Sequence, residues 1–114
     1  MNTYAFTDKY GTEYEIAFER ASYMVDGSLA IEVHCREQGD EWWEPYGTLT
    51  KNLGGFYFGP RTAYIDANNL GDLCEFVMEK GWATEIGEGR SGYCTYPLVE
   101  FADEFVDEVC EVME

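Results

Sequence analysis

Hydrophobic and polar residues alternate through the first third of the chain, as they do in strands with one buried face. Residues 13–19 place Tyr, Ile and Phe side chains on one side and three glutamates on the other. The alternation returns over residues 29–36. Turn-forming residues at 8–11 and 26–27 separate these segments, so we predict antiparallel hairpins with a first strand over residues 3–6.

Further strands are predicted in the middle and later parts of the chain. Residues 47–53 and 62–65 show strand-like patterns, and residues 93–99 contain several β-prone side chains. Pro97 has no backbone N–H, which predicts that this last strand lies at a sheet edge. Residues 87–92 match the G-x-G-x-x-G pattern, but a β-prone, proline-containing segment follows instead of a helix, so we predict a loop and no dinucleotide site.

Two amphipathic helices are predicted. The first covers residues 70–80, with Asn69 as N-cap and Gly81 as the residue that ends it. The second covers about residues 101–113, where apolar residues recur at spacings of three and four between acids. Together these elements predict a single α+β domain over residues 1–114, with an antiparallel sheet of about four to five strands packed against two amphipathic helices in two layers.

Acidic charge is the main chemical property of the chain. It has 23 acidic and 7 basic residues, for a net charge of -16, yet 46% of its residues are apolar, which is too many for a disordered acidic tail. Such a charge opposes direct binding to nucleic acid or anionic lipid and favours a basic protein partner. No signal peptide or membrane-spanning stretch is present in the sequence, so we expect a cytoplasmic protein.

Carboxylates on the two predicted helices are the candidate partner-binding residues. On a helix, acids three and four apart lie about 5–6 Å from one another, a spacing similar to that of phosphates along a nucleic-acid strand. The closing helix would carry Asp103, Asp107, Glu111 and Glu114 in a line flanked by Glu104 and Glu108, and the first helix would carry Asp72, Glu75 and Glu79. The alternative interpretation is that these rows are solvated surfaces that only keep the protein soluble.

Other residue types give weaker functional signals. Trp42 and Trp43 lie among acids and point in opposite directions if extended, so one of them is a candidate interface anchor. The four cysteines are scattered without a C-x-x-C pair, which favours buried thiols over zinc binding. His34 and Cys35 are neighbours on a predicted strand and therefore face opposite sides. We predict no catalytic residue, metal site or cofactor.

Three segments resemble a family of small proteins of unknown function found on conjugative and phage-derived elements of gut bacteria. They are Tyr46–Leu53, Ala63–Asn69 and Ser91–Leu98. The resemblance implies a mobile-element home and supplies no catalytic residues. Small acidic proteins of such elements include antirestriction and anti-CRISPR proteins that imitate DNA, which is an analogy of charge and setting and not of motif.

The leading hypothesis is a non-enzymatic inhibitor that mimics nucleic acid and occupies the DNA- or RNA-binding surface of a basic host-defence protein. One alternative is an accessory interaction module of a mobile element that uses the aromatic patch around Trp42 and Trp43. A second alternative is a small enzyme with a site built on a cysteine, such as Cys94, or on a carboxylate pair.

Overall fold

The computed structural model describes residues 2–37, 39–54 and 59–112. Within them the chain forms two β-sheets, one α-helix and a short π-helical turn, which we call the closing turn. The strands are β1 Tyr4–Thr7, β2 Glu13–Ser22, β3 Leu29–Arg36, β4 Glu44–Thr48, β5 Thr50–Lys51, β6 Thr62–Ile65, β7 Ala83–Ser91, β8 Cys94–Phe101 and β9 Cys110–Val112. The helix α1 spans Gly71–Glu79 and the closing turn spans Phe105–Val109.

The first sheet has the order β1-β2-β3-β4, and β9 joins it in parallel on the same edge of β2 as β1. The predicted hairpins are confirmed in β1–β2 and β2–β3. In the first hairpin the Asp8 carboxylate accepts hydrogen bonds from the backbone N–H groups of Tyr10 and Thr12, and Gly11 adopts φ 85°. The alternation of β2 and β3 buries one face of this sheet and leaves the other, which we call the outer face, toward solvent.

The second sheet has the order β5-β6-β8-β7 and is wholly antiparallel. The predicted loop over residues 87–92 is wrong, because most of it belongs to β7, which forms a hairpin with β8. Gly89 of β7 makes room for the ring of Tyr64 in β6. A Cβ at position 89 would lie only 2.5 Å from Cε1 of Tyr64. The strand predicted over residues 93–99 is β8. Its predicted position at a sheet edge is wrong, because β8 lies between β6 and β7. Pairing with β6 ends at Leu98, so Pro97 pairs with β7 alone and its missing N–H is tolerated.

The chain passes from the first sheet to the second at Leu49, which is fully buried. Its N–H donates to the carbonyl of Ile31 in β3, and its carbonyl accepts from the N–H of Asp66 beyond β6, each at 2.8 Å. At the next residue the Thr50 hydroxyl accepts the N–H of Ile31 at 3.2 Å. A side chain thus replaces a backbone acceptor where the two sheets meet. The strand predicted over residues 47–53 is divided here into β4 and β5.

Helix α1 confirms the first predicted helix, and its buried residues are Leu73, Cys74 and Val77. Asn69 is not its N-cap, because the helix begins after Leu70 and has no side-chain cap. Gly81 ends the helical segment with φ 75°, as predicted. Within the described residues, no helix is long and apolar enough to cross a membrane.

A cluster of aromatic rings fills the space between the sheets. Phe105 of the closing turn lies 5.1 Å from the ring centroid of Phe101, 5.2 Å from that of Phe18 and 5.4 Å from that of Trp82. Residues of both sheets, α1 and the closing turn form one hydrophobic core.

The predicted architecture of one sheet covered by two helices is wrong. The described chain has two sheets and a single α-helix, and the segment predicted as a closing helix is divided among three elements. Phe101 ends β8, Phe105–Val109 forms the closing turn, and Cys110–Val112 forms β9. In β9 the backbone pairs with β2 and Cys110 is buried, whereas a continued helix would place like charges three and four residues apart, which destabilises it.

Candidate functional site

The closing turn presents acids to solvent and apolar residues to the core, as its spacing predicted. Phe105, Val106 and Val109 are buried, whereas the acids on either side of them are exposed. The exposed acids are Asp103, Glu104, Asp107 and Glu108. The sidedness of the segment is therefore confirmed although its helical length is not.

Two of these carboxylates are neutralised by arginines. Asp103 Oδ1 lies 3.0 Å from Nε of Arg61, and Asp107 Oδ1 lies 3.6 Å from Nη1 of Arg20. Arg61 also donates from Nη1 to the carbonyl of Phe101 at 2.8 Å, which fixes its guanidinium at the end of β8. The unbroken anionic line predicted along this segment is thus wrong at two of its four positions.

The other predicted positions separate into free and engaged carboxylates. No ion pair holds Glu104 or Glu108 within the described part of the chain. Glu111 lies in β9, where its Oε1 accepts the N–H of Asn2 at 3.0 Å, and Glu114 lies outside the described residues. On α1, Glu75 and Glu79 are exposed, but the Asp72 carboxylate accepts the N–H of Lys9 at 2.7 Å.

An acidic surface that sequence reasoning missed lies on the outer face of the first sheet. In the register of the strands, Glu19 of β2 is directly beside Glu32 of β3 on one side and Glu111 of β9 on the other. We call these three residues the glutamate row. Neighbouring strands lie about 4.7–4.9 Å apart, so three carboxylates follow one another across the sheet. Glu13 and Glu15 of β2 point to the same face.

Polar and cationic neighbours engage this surface in part. The Glu32 carboxylate accepts the Thr48 hydroxyl at 3.0 Å, and Arg36 donates from Nε to Glu15 at 2.8 Å. His34 Nε2 lies 2.8 Å from Glu19 Oε1, a distance typical of an ion pair, but the angles do not meet hydrogen-bond geometry. The row thus keeps more negative than positive charge.

Trp42 and Trp43 differ in environment, as their opposite orientation predicted. The Trp42 residue is 81% exposed, which is exceptional for an indole. Trp43 is half-buried, and the guanidinium of Arg36 lies 4.4 Å from its ring centroid in a cation–π contact.

The Cys35 thiol and the imidazole of His34 lie on opposite faces of the first sheet. Cys35 is buried on the inner face of β3 and His34 lies on the outer face, which confirms their predicted separation. Burial raises the pKa of both Cys74 and Cys110 to about 12, so these two are protonated thiols at neutral pH. Cys94 is half-buried. Among the described residues, no group of three or more His, Cys, Asp or Glu side chains is arranged to hold a metal ion.

Comparison with known proteins identifies the family to which the chain belongs. No curated protein and no solved structure matches it. Residues 17–113 match the family described as a domain of unknown function, DUF4313. The match begins within β2 and covers the rest of the first sheet except β1, the whole second sheet, α1 and the closing turn. The chain therefore belongs to the DUF4313 family.

Proposed function

We propose that this protein is a non-enzymatic acidic binding module that docks on the cationic, nucleic-acid-binding surface of another protein. The glutamate row is the observation that carries the proposal. On a mobile element, the setting that the sequence resemblance implies, such a partner would be a nuclease or restriction complex of host defence. Occupying its binding surface would inhibit it by excluding DNA or RNA.

The row is unfavourable for the folded protein alone. Like charges directly opposite each other on adjacent strands destabilise a sheet by about 0.2–1 kcal/mol per pair, and Glu19 has two such neighbours. A cationic surface placed against the row would remove this repulsion. The relief would contribute to binding and would be specific for a partner whose positive charges match the spacing of the strands.

Exposed acids on other elements are further candidates for contact with a cationic partner. They are Glu104 and Glu108 at the closing turn and Glu75 and Glu79 on α1, which packs on the inner side of the first sheet, away from the glutamate row. Asp103 and Asp107 are not among them, because arginines of the same chain already neutralise them. Reversing the charge of those two would break internal ion pairs, so their substitution is a poor test of partner binding.

The test compares two variants with the same change of net charge, from -16 to -13. One neutralises the glutamate row as Glu19→Gln, Glu32→Gln and Glu111→Gln. The control neutralises three exposed acids of the second sheet as Glu85→Gln, Glu88→Gln and Glu100→Gln. Glutamine retains the size and hydrogen-bonding ability of glutamate, so both variants should keep the fold.

Tagged wild-type protein is used to capture a partner at about 50 mM salt, and binding of the purified partner is measured again at about 200 mM salt with both variants. We expect binding to weaken with salt, DNA or RNA to compete with it, and the row variant to bind at least about tenfold more weakly than the control, equivalent to about 1.4 kcal/mol. Equal binding of the two variants, or binding that nucleic acid does not displace, would refute the proposal.

Exposure of Trp42 favours a second candidate, an interaction module anchored by an aromatic side chain. Binding by this route would change little with salt and would be lost in Trp42→Ala. The same capture experiment distinguishes the two functions, since the glutamate-row variant would then bind as well as the wild type.

A further inference from the structure

A groove opens where the chain passes from β4 to β5, next to Glu32 but with no residue of the glutamate row in its lining. Its volume is about 540 Å³, and its walls come from residues 46–48, 50–52, 66 and 69–70 together with Tyr23. This volume lies within the range of about 300–1,000 Å³ that is usual for small-ligand sites. The groove lies between the two sheets, beside the start of α1.

The groove contains both of the buried polar residues found in the described chain, Thr50 and Asp66. The Thr50 hydroxyl is satisfied by Ile31 N–H and by the Tyr23 hydroxyl. Asp66 is only 8% exposed, and its carboxylate accepts two hydrogen bonds, both from Asn69, at 3.3 Å from the backbone N and 3.0 Å from Nδ2. These neutral donors use about half of the acceptor positions of a carboxylate and leave its charge without a cation.

Lys51 lines the groove, but it forms no ion pair with Asp66 within 4.0 Å among the described residues. Its ammonium lies 5.9 Å from the ring centroid of Tyr96. The charge of Asp66 acts on its neighbours: burial raises the pKa of the Cys74 thiol, and Asp66 adds to the increase. Burial likewise raises the pKa of the Tyr23 hydroxyl, with smaller increases from carboxylates that include Asp66.

Aromatic walls and a buried carboxylate together suit a planar organic cation. Tyr23 and Tyr46 line the groove. A guanidinium group donates to carboxylates in a fixed plane, is weakly hydrated for a cation and stacks on aromatic rings, whereas an ammonium is a compact, strongly hydrated charge. We propose that this groove binds a guanidinium group against Asp66. The inference does not depend on the proposed function, because no residue of the glutamate row lines the groove.

The binding test uses two probes of the same length. N-acetyl-L-arginine amide carries the guanidinium, and N-acetyl-L-citrulline amide replaces it with an uncharged urea group. Each is titrated into isotope-labelled protein while the backbone amide resonances of residues 47, 50 and 69 are followed. We expect saturable shifts with the arginine probe and at least about tenfold weaker binding of the citrulline probe, or about 1.4 kcal/mol.

Two substitutions with the same change of charge locate the site. Asp66→Asn should weaken the arginine probe at least about tenfold, because it removes the buried charge. Glu75→Gln, on the exposed side of α1, should leave binding within about twofold. A measurement on the unmodified protein guards against misfolding of the Asp66 variant: nuclear Overhauser contacts between the probe methylenes and the rings of Tyr23 or Tyr46 are expected.

Free L-arginine, tested alongside, distinguishes a metabolite from a protein side chain. Tighter binding than the capped probe assigns the groove to the free amino acid, and equal or weaker binding assigns it to an arginine within a polypeptide. Equal binding of the arginine and citrulline probes, equal effects of the two substitutions, or the absence of contacts to both tyrosine rings would overturn the inference. A variant with only Glu19→Gln and Glu111→Gln changes no residue of the groove and should bind the arginine probe as the wild type does.

Discussion

Replacing Thr50 by Val tests whether one hydroxyl joins the two sheets. Valine has the shape of threonine but cannot accept the N–H of Ile31, which is fully buried. An unsatisfied buried N–H costs about 1–3 kcal/mol. The Tyr23 hydroxyl, 2.9 Å away, also loses its partner but is half-buried and can bond to water instead. We therefore expect Thr50→Val to lower the free energy of unfolding by about 2 kcal/mol and Tm by about 6–12 °C.

Thr48→Val is the matched control, because it makes the same chemical change two residues earlier. The Thr48 hydroxyl donates to Glu32 at 3.0 Å on the outer face, where water replaces the lost hydrogen bond, so we expect a loss below about 1 kcal/mol. Both free energies come from urea unfolding followed by fluorescence, with the buried Trp82 as reporter. If Thr50→Val costs no more than Thr48→Val, the assignment of the hydroxyl as the bond between sheets is wrong.

Three further predictions concern packing and thiols. Gly89→Ala should destabilise the protein by about 1–3 kcal/mol, because the new methyl group would overlap the Tyr64 ring; Gly71→Ala, at an open helical position, should be neutral or stabilising in the same unfolding assay. A thiol reagent should modify one cysteine rapidly in the native protein, and Cys94→Ser should remove that fast phase, whereas a second fast thiol would contradict the burial of the others. Burial raises the pKa of Cys110 from 9.0 to about 12, so the unfolded chain releases this proton first. Stability should therefore be unaffected by this group below pH 9 and fall between about pH 9 and 12, and urea unfolding of Cys110→Ala should show a smaller decrease over that range; an identical decrease would exclude a contribution from this thiol.

The strands of the first sheet were predictable because local alternation and turn residues agree with the final packing. The glutamates of β2 were assigned to the solvent side from sequence, and the structure places them there. Their partners were not predictable, because register depends on the length of the turn. A two-residue turn at 26–27 would pair Glu19 with His34, but Tyr23 N–H bonds to Ser28 O and leaves a four-residue loop. This register brings Glu32 beside Glu19.

The prediction of a closing helix over residues 101–113 is wrong because the hydrophobic pattern of this segment is consistent with two different structures. Buried positions at 105, 106, 109 and 110 fit a long helix, and they also fit a short helical turn followed by a strand. Pairing with β2, far away in sequence, decides between them. The groove at Asp66 was missed for a similar reason: Tyr23, Thr50 and Asp66 lie on separate elements, and only the passage between sheets at Leu49 brings them together.

Docking of β9 on β2 has a consequence for the kinetics of folding. It pairs Phe18 with Cys110, so the contact closes nearly the whole length of the matching family domain. The entropy of closing so long a loop is lost before the contact stabilises anything. We therefore expect folding in the slow range of about milliseconds to seconds that is typical of proteins dominated by distant pairings, with the edge beside β1 completed last.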